Sequence, residues 1–407
     1  MFDNLLYQKT SELLIQDINN SRVPGAILLS GPESSGKLTC ALETARILSC
    51  SGTKKYPKGH WLCDCPSCKK NKALVNTNII LAGPRDCQLE ISAAKRTFLQ
   101  AAANNENYLR ATHYLFVRAV RKLTMRFSQV LWEGNDKLNK LSVLTQAVEE
   151  QLEKIDFDRE LPDFDTLVKI CDDITKNTLR LEEDFMYDSI PVDQIRRASS
   201  WARLKSHEGK KVFIIENADR MLENVRNALL KILEEPPEDT VFILTTSRRG
   251  AVMPTILSRV RTYDFYQRTF DQESEVIERV FHDKFRNGNK NLGDYLQVFL
   301  PVTPSEIFNY SKRFYDGIQN NQIFQLDTIV KGCASFKPKI LLKLFLRGLY
   351  DCQKTDENSL KNTELSFRNV EAVRECFNNV TIYNQSPLAA LEKLYRDMAS
   401  NRNMFLR

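Results

Sequence analysis

Apolar residues recur at Leu5, Leu6, Leu13, Leu14 and Ile18 with polar residues between them, a rhythm that predicts a helix within residues 5–20. Ala26-Ile27-Leu28-Leu29-Ser30 follows, a short and nearly continuous apolar run of the kind a buried strand needs. It ends at Gly31, and beyond a polar loop the stretch Leu38 to Leu48 is again compatible with a helix. Three further runs, Ile79-Ile80-Leu81, Val212-Phe213-Ile214-Ile215 and Val241-Phe242-Ile243-Leu244, predict more strands, separated by helical patterns. Strands alternating with helices predict an α/β fold: a parallel sheet with helices on both faces.

The alternation stops between Ser92 and Met186, where 95 residues carry a helical pattern with little strand signal. Charge is uneven there: seven basic residues against one acidic over 92–131, seven against fifteen over 132–186. One reading is a helical insertion whose halves attract each other; the other is a module that docks a partner or touches DNA. After Phe270 the pattern is all helical, with polar breaks near Gly288-Asn289, Pro301 to Pro304, Lys337-Pro338 and Ser386-Pro387. The stripe Ile340, Leu341, Leu342, Leu344, Phe345 and Leu349 predicts a core-facing helix surface.

Composition narrows the class. A 407-residue chain that is 42% hydrophobic and 27% charged, with a net charge of only +6, is not a disordered polyelectrolyte. Its length predicts several domains. No secretion signal or membrane anchor is expected, so a reducing compartment is, where clustered cysteines more often bind metal than form disulfides. The mild basic excess permits nucleic-acid contact without demonstrating it.

Three clusters carry candidate chemistry. Gly31-Pro32-Glu33-Ser34-Ser35-Gly36-Lys37 follows a strand and opens a helix, the context in which backbone N–H groups and a lysine cradle phosphates. The next position normally offers a hydroxyl to magnesium; here it is Leu38, and Thr39 lies about 100° round the helix. ATP binding stays plausible while hydrolysis becomes doubtful. Glu216-Asn217 ends a strand where an ATPase presents paired acids, and Asn217 is no base; an ordinary strand end is the alternative. Cys50, Cys63, Cys65 and Cys68 sit close enough in sequence to close a tetrahedral zinc site, with free thiols, or His60 replacing one cysteine, as alternatives. Lys54, Lys55, Lys58, Lys69, Lys70 and Lys72 surround them and read as a solvated surface that offsets thiolate charge. Cys40, Cys87, Cys171, Cys333, Cys352 and Cys376 read as small buried hydrophobes.

Asn227-Ala228-Leu229-Leu230-Lys231-Ile232-Leu233-Glu234-Glu235-Pro236-Pro237 also reads as a core helix with Leu222, Val225, Leu229, Ile232 and Leu233 on one side and Pro236 as a stop. The same residues closely resemble a helix of the bacterial DNA polymerase III clamp-loader subunits of the AAA+ family. Thr255-Ile256-Leu257-Ser258-Arg259-Val260 resembles that family's serine-arginine element, with Val260 where a cysteine is usual. Ser21 to Ala26 and Ile190 to Arg196 fall where the family has similar segments. The likeness covers residues 1–91 and 187–268, and is closest to the delta-prime form, a relative of gamma/tau, because Leu38 and Asn217 depart from a hydrolysing motor.

The resemblance implies an AAA+ P-loop NTPase domain over 1–91 and 187–268 with a zinc module at 50–68, a helical insertion at 92–186, a helical lid at 269–320 and a helical collar for oligomerisation at 321–407. It implies a nucleotide site at Gly31, Ser34, Ser35, Gly36, Lys37, Thr39, Glu216 and the sensor position Thr246. It implies that Arg259, with Ser258, acts on ATP held by a neighbouring subunit, where the plain alternative is an arginine paired with a surface carboxylate. Implied partners are the motor (gamma/tau) and delta subunits, the sliding clamp, and primer-template DNA through the complex, with no membrane and a cytoplasmic, nucleoid-associated location. The competing functions are a hydrolysing motor subunit of the same loader and a non-catalytic DNA-binding scaffold.

Overall fold

The computed structural model describes residues 1–206, 209–283, 291–320, 328, 340–356, 362–381, 383 and 385–405. The chain divides into two units, Met1–Leu296 and Gln297–Arg407. Of the features expected from sequence, Gly288-Asn289, Lys337-Pro338 and Cys333 lie outside the described residues.

The first unit is built on a five-stranded parallel sheet: β1 (Ala26–Ser30), β2 (Ile79–Ala82), β3 (Lys211–Ile215), β4 (Thr240–Thr246) and β5 (Arg261–Asp264), in the order β2-β3-β4-β1-β5. Alternate residues serve two cores, as the two-residue period of a strand requires. Ala26, Leu28, Ile80, Ala82, Phe213, Ile215, Phe242 and Leu244 face one; Ile27, Leu29, Ile79, Leu81, Val212, Ile214, Val241 and Ile243 face the other. Helices α1 (Thr10–Asn19) and α2 (Lys37–Ser49) cover the second face. Between α2 and β2 lies the short α3 (Pro66–Lys72).

A helical bundle covers the first face: α4 (Gln88–Ala103), α5 (Leu109–Thr124), the one-turn α6 (Gln129–Trp132), α7 (Leu138–Lys154) and α8 (Phe164–Phe185). It runs from Gln88 to Phe185 and is helical throughout its named elements, as the pattern over 92–186 predicts. Its basic and acidic halves meet through Lys95 with Asp172 and Arg121 with Glu149 (3.4 Å). Helices α9 (Val192–Arg203) and α10 (Glu223–Glu234) complete that face. The short α11 (Pro254–Leu257) precedes β5, and α12 (Phe270–Phe281) and α13 (Leu292–Leu296) end the unit, docked on α4 by Thr97 Oγ1, which donates to Phe281 O at 3.0 Å.

In the second unit α14 (Pro304–Gln319), α15 (Ile340–Thr355), α16 (Thr363–Thr381) and α17 (Pro387–Phe405) pack around Phe314, Leu341, Leu342, Phe345, Leu391 and Leu394. Thr303 and Glu306 form a reciprocal cap on α14, which explains the polar break before Pro304.

Several sequence expectations need correction. β5 is not among the expected strands, because it is an edge strand of sequence Arg-Thr-Tyr-Asp in which only Tyr263 is buried. Leu5 and Leu6 precede α1 instead of belonging to it: the chain there runs alongside Tyr266, whose backbone exchanges two hydrogen bonds with the Gln8 amide. Leu13 is exposed on α1, and Leu222 is exposed at the N-cap of α10 while Val225, Leu229, Ile232 and Leu233 are buried. Cys40, Cys87, Cys171 and Cys376 are buried as expected, whereas Cys352 is only half-buried.

Candidate functional site

The parallel strands bring the candidate nucleotide residues to one edge of the sheet, beyond the carboxyl ends of β1, β3 and β4, where open α/β sheets form their clefts. Gly31 leaves β1 with φ +152°, and a Cβ there would lie 2.4 Å from Phe265 O, so no other residue fits. Gly36 has φ +97° and caps α2. Exposed Ser34 adopts the left-handed conformation, and Ser35 is buried with Oγ donating to Pro32 O at 2.8 Å. Arg268 grips the loop from behind, donating to Ser34 O (3.0 Å), Ser35 O (3.1 Å) and Leu6 O (3.2 Å).

Lys37 reaches back into the loop, donating to Gly31 O at 2.7 Å and to Pro32 O. Burial lowers its pKa to about 8 against the pull of Glu216 and Glu33. Leu38 is buried among α2 and the sheet, so the position that would carry a magnesium-binding hydroxyl feeds the core. Thr39 is half-buried on the next face of α2.

Glu216 is buried at the end of β3, and both carboxylate oxygens are paired, Oε1 with Arg85 Nη1 at 2.9 Å and Oε2 with Arg126. Asn217 commits its side chain to the loop after β2, Nδ2 donating to Pro84 O at 2.7 Å. Thr246, fully buried, donates from Oγ1 to Asp219 Oδ1 at 2.7 Å, and Arg248 pairs with the other Asp219 oxygen at 2.9 Å.

Ser258 and Arg259 are not part of this constellation. They follow α11 and precede β5, which pairs in parallel with β1 (Ile27 opposite Arg261, Ser30 opposite Asp264), so they lie at the amino edge of the sheet. A five-residue strand, roughly 17 Å at ~3.3 Å per residue, separates that edge from the phosphate-type loop. Arg259 donates to Thr255 O (2.8 Å) and pairs with Glu234 (2.7 Å), itself half exposed; Ser258 Oγ donates to Thr255 O.

At the far end of α2 the four cysteines converge. Their Sγ atoms all lie within 4.8 Å of one another, with Cys50 to Cys63 at 3.6 Å and Cys50 to Cys65 at 4.0 Å. A tetrahedral zinc with Zn–S bonds of about 2.3 Å has sulfur edges of roughly 3.8 Å, so the residues fit that ion. Gly52 and Gly59 donate backbone N–H groups to Cys50 Sγ, and Cys68 N donates to Cys65 Sγ. Burial works to raise the Cys65 thiol, yet hydrogen bonds from Cys68 and Ser51 bring it down to about 6. His60 is occupied elsewhere, Nδ1 accepting from Leu62 N and the ring stacked on Tyr56, so the cluster is four cysteines. Lys54, Lys55, Lys58, Lys69 and Lys70 are exposed around it; Lys72 donates to Cys63 O at 3.1 Å.

Sequence reasoning did not reach Arg46, Glu43, Arg85, Arg126 and Arg268. Arg46 and Glu43 had a visible signal, an i,i+3 charge pair inside an otherwise buried helix just before Cys50. The others act across long sequence separations that a linear pattern does not display.

The fold and its clusters define a parallel α/β protein with a glycine-bounded loop between β1 and α2 and a buried four-cysteine cluster suited to a structural metal such as zinc. A family model described as "DNA polymerase III, delta subunit" matches residues 7–147 and 130–269, more than half of the chain. Bacillus subtilis DNA polymerase III subunit delta' is 40% identical over 74 residues, 18% of this chain and 22% of that protein. The Pseudomonas aeruginosa subunit delta' is 40% identical over 80 residues, 19% and 24%. Mycobacterium tuberculosis subunit gamma/tau is 47% identical over 55 residues, 14% and 10%. Each alignment thus spans less than a quarter of the relative's length. A gamma subunit-related protein of Thermotoga maritima aligns over 53% of this chain and 80% of its own at 18% identity, with a TM-score of 0.31. The chain belongs to the DNA polymerase III delta-prime subunit family, related to the gamma/tau subunits of the clamp loader.

Proposed function

We propose that the chain is the delta-prime-type member of a replicative clamp loader, stimulating ATP turnover in a neighbouring gamma/tau-type subunit without hydrolysing ATP itself. The observation that carries this reading is the position of Arg259. It stands a strand's length from its own phosphate-type loop, at the opposite edge of the sheet, so a nucleotide it contacts belongs to another subunit. Its pairing with exposed Glu234 is a surface ion pair, worth at most about 1 kcal/mol and readily exchanged for a triphosphate. Guanidinium is the group suited to charge on a transferring phosphoryl. Buried Leu38 and Asn217, an amide committed to Pro84 O where a base is needed, argue against turnover at the chain's own loop.

On this reading residues 1–91 and 187–268 form an AAA+ domain with a structural zinc, followed by lid and collar. The partners are motor and delta subunits, the sliding clamp and, through the complex, primer-template DNA, in the cytoplasm. The test is ATP turnover by the chain alone and reconstituted with a motor subunit. We expect none alone, and in the mixture a loss on the order of 10³ at the affected site in Arg259→Ala, with assembly intact by gel filtration. Unchanged turnover in the mutant complex, or robust turnover by the chain alone, overturns the proposal.

A further inference from the structure

The acid at the end of β3 is enclosed by cations. Glu216 accepts from Arg85 Nη1 at 2.9 Å and pairs through its other oxygen with Arg126. Arg126, fully buried, also donates from Nη1 to Gly83 O at 3.1 Å. Arg85 is partly exposed and spends Nη2 on Glu90 Oε2 at 2.8 Å; Glu90 takes Lys122 on its second oxygen. Lys122 lies on α5 and Arg126 in the 3-10 turn Met125–Phe127 that follows it, so this network ties the bundle to the loop edge of the sheet. Three cations thus share two carboxylates in this network, and Lys37 feels Glu216, Glu33 and Asp219 as attractive charges and Arg85 as a repulsive one.

A hydrated magnesium ion beside the phosphates needs a free carboxylate oxygen at Glu216 and a hydroxyl at position 38. Neither is on offer. Displacing Arg126 from Glu216 would leave a fully buried guanidinium without its counter-charge, which is strongly unfavourable. A divalent cation approaching Glu216 would also be repelled by Arg85, which already occupies its Oε1. The residues therefore do not fit magnesium, while the ammonium of Lys37 and the guanidinium of Arg85 are groups suited to phosphate oxygens.

We propose that the phosphate loop of this chain binds a nucleoside polyphosphate free of divalent metal, with Lys37 and Arg85 supplying the charge a cation supplies in a motor subunit and Arg126 holding Glu216 closed to metal. The proposal rests on the reading of Gly31–Lys37 as a nucleotide loop and deepens it. Its ligand class is the free, uncomplexed nucleotide.

The test is fluorescence anisotropy of N-methylanthraniloyl-ATP with the full zinc-loaded chain, in resin-treated magnesium-free buffer and again in millimolar magnesium chloride. Resin replaces a chelator so that the cysteine site keeps its metal. Expected is equal or tighter binding without magnesium. Weakening of about tenfold or more on its removal, the effect of losing one charge-assisted contact, overturns the proposal, as does absence of binding in both buffers. Arg85→Gln, at a partly exposed position, should weaken metal-free binding about tenfold with the fold intact by circular dichroism; unchanged affinity overturns the proposal. Failure here leaves the role of Arg259 standing, since that is read from turnover of the mixed complex.

Discussion

Arg46 uses all five of its N–H donors inside the protein: Nε and Nη2 on Glu43 (2.9 and 2.6 Å), Nη2 on Gly59 O (2.9 Å), and Nη1 on His60 O (3.2 Å) and Cys68 Sγ (3.0 Å). It thereby offsets thiolate charge and fixes the loop that supplies three of the four sulfurs. Arg46→Met leaves Glu43 buried and unpaired, and urea unfolding of the zinc-loaded protein should show a loss of about 3–5 kcal/mol. Adding Glu43→Gln removes the stranded charge and should restore some of that loss. Zinc affinity in that double variant should still be ~10–100-fold weaker, as for loss of an outer-shell partner, measured by competition with a chromophoric chelator. Wild-type affinity there would mean that Arg46 serves folding alone. His113 makes a separate, pH-dependent contribution. Stacked on Phe98 (4.8 Å), its imidazole is lowered to about 4 by burial. The unfolded chain takes a proton near pH 6.5 that the folded chain refuses until about 4, so stability falls on acidification through that window, by up to ~1.4 kcal/mol per pH unit. His113→Phe should flatten this segment of the pH profile of urea unfolding, and an unaltered profile would place the acid sensitivity elsewhere.

Among the elements, strands buried on both faces declare themselves as continuous apolar runs, which is why β1 to β4 are legible in the sequence to within two residues. β5 is not, because its edge position exposes it; only Tyr263 reaches inward, its hydroxyl donating to Asp17 at 2.5 Å. The same limit applies to the sites. The cysteine cluster lies within 19 residues and its spacing suffices to find it, whereas the Arg126–Glu216 pair joins positions 90 residues apart and only the packed bundle reveals it. Close approach of helices is likewise invisible in a linear pattern. On α15 a Cβ at Gly348 would fall 2.5 Å from Ser311 Oγ and 2.7 Å from Ser311 Cβ on α14. Ser311 Oγ is itself committed to Phe345 O at 2.9 Å. Gly348→Ala gains about 1 kcal/mol of helix propensity. It must also push the packed helices α14 and α15 apart, at ~1–3 kcal/mol. The steric term wins, and the thermal midpoint of the variant should drop; a rise would show that the helices separate freely.

Across the first unit, α2 joins two sites of different physical character. Its first turn closes the phosphate-type loop and rests on the sheet; its last turn carries Arg46 and leads to Cys50, roughly 20 Å away at 1.5 Å per residue. The four cysteines form a hydrophobic cluster separate from both sheet cores, with Tyr56 the partly buried apolar residue packed against it among the described residues. Little apolar surface holds residues 50–72, so a metal held by the four cysteines would supply much of their order beside the hydrogen bonds from Arg46 and Arg118. The sheet cores draw on α1, α2 and the bundle and owe nothing to the metal. Stripping the zinc should therefore speed amide hydrogen exchange from the last turn of α2 through α3 while β1 to β4 keep their protection. Cys65→Ser/Cys68→Ser should reproduce that pattern and abolish the one zinc atom per chain expected from elemental analysis. Exchange that spreads through the sheet would mean the metal supports the whole unit, and exchange unchanged anywhere would mean that the cysteines pack without it.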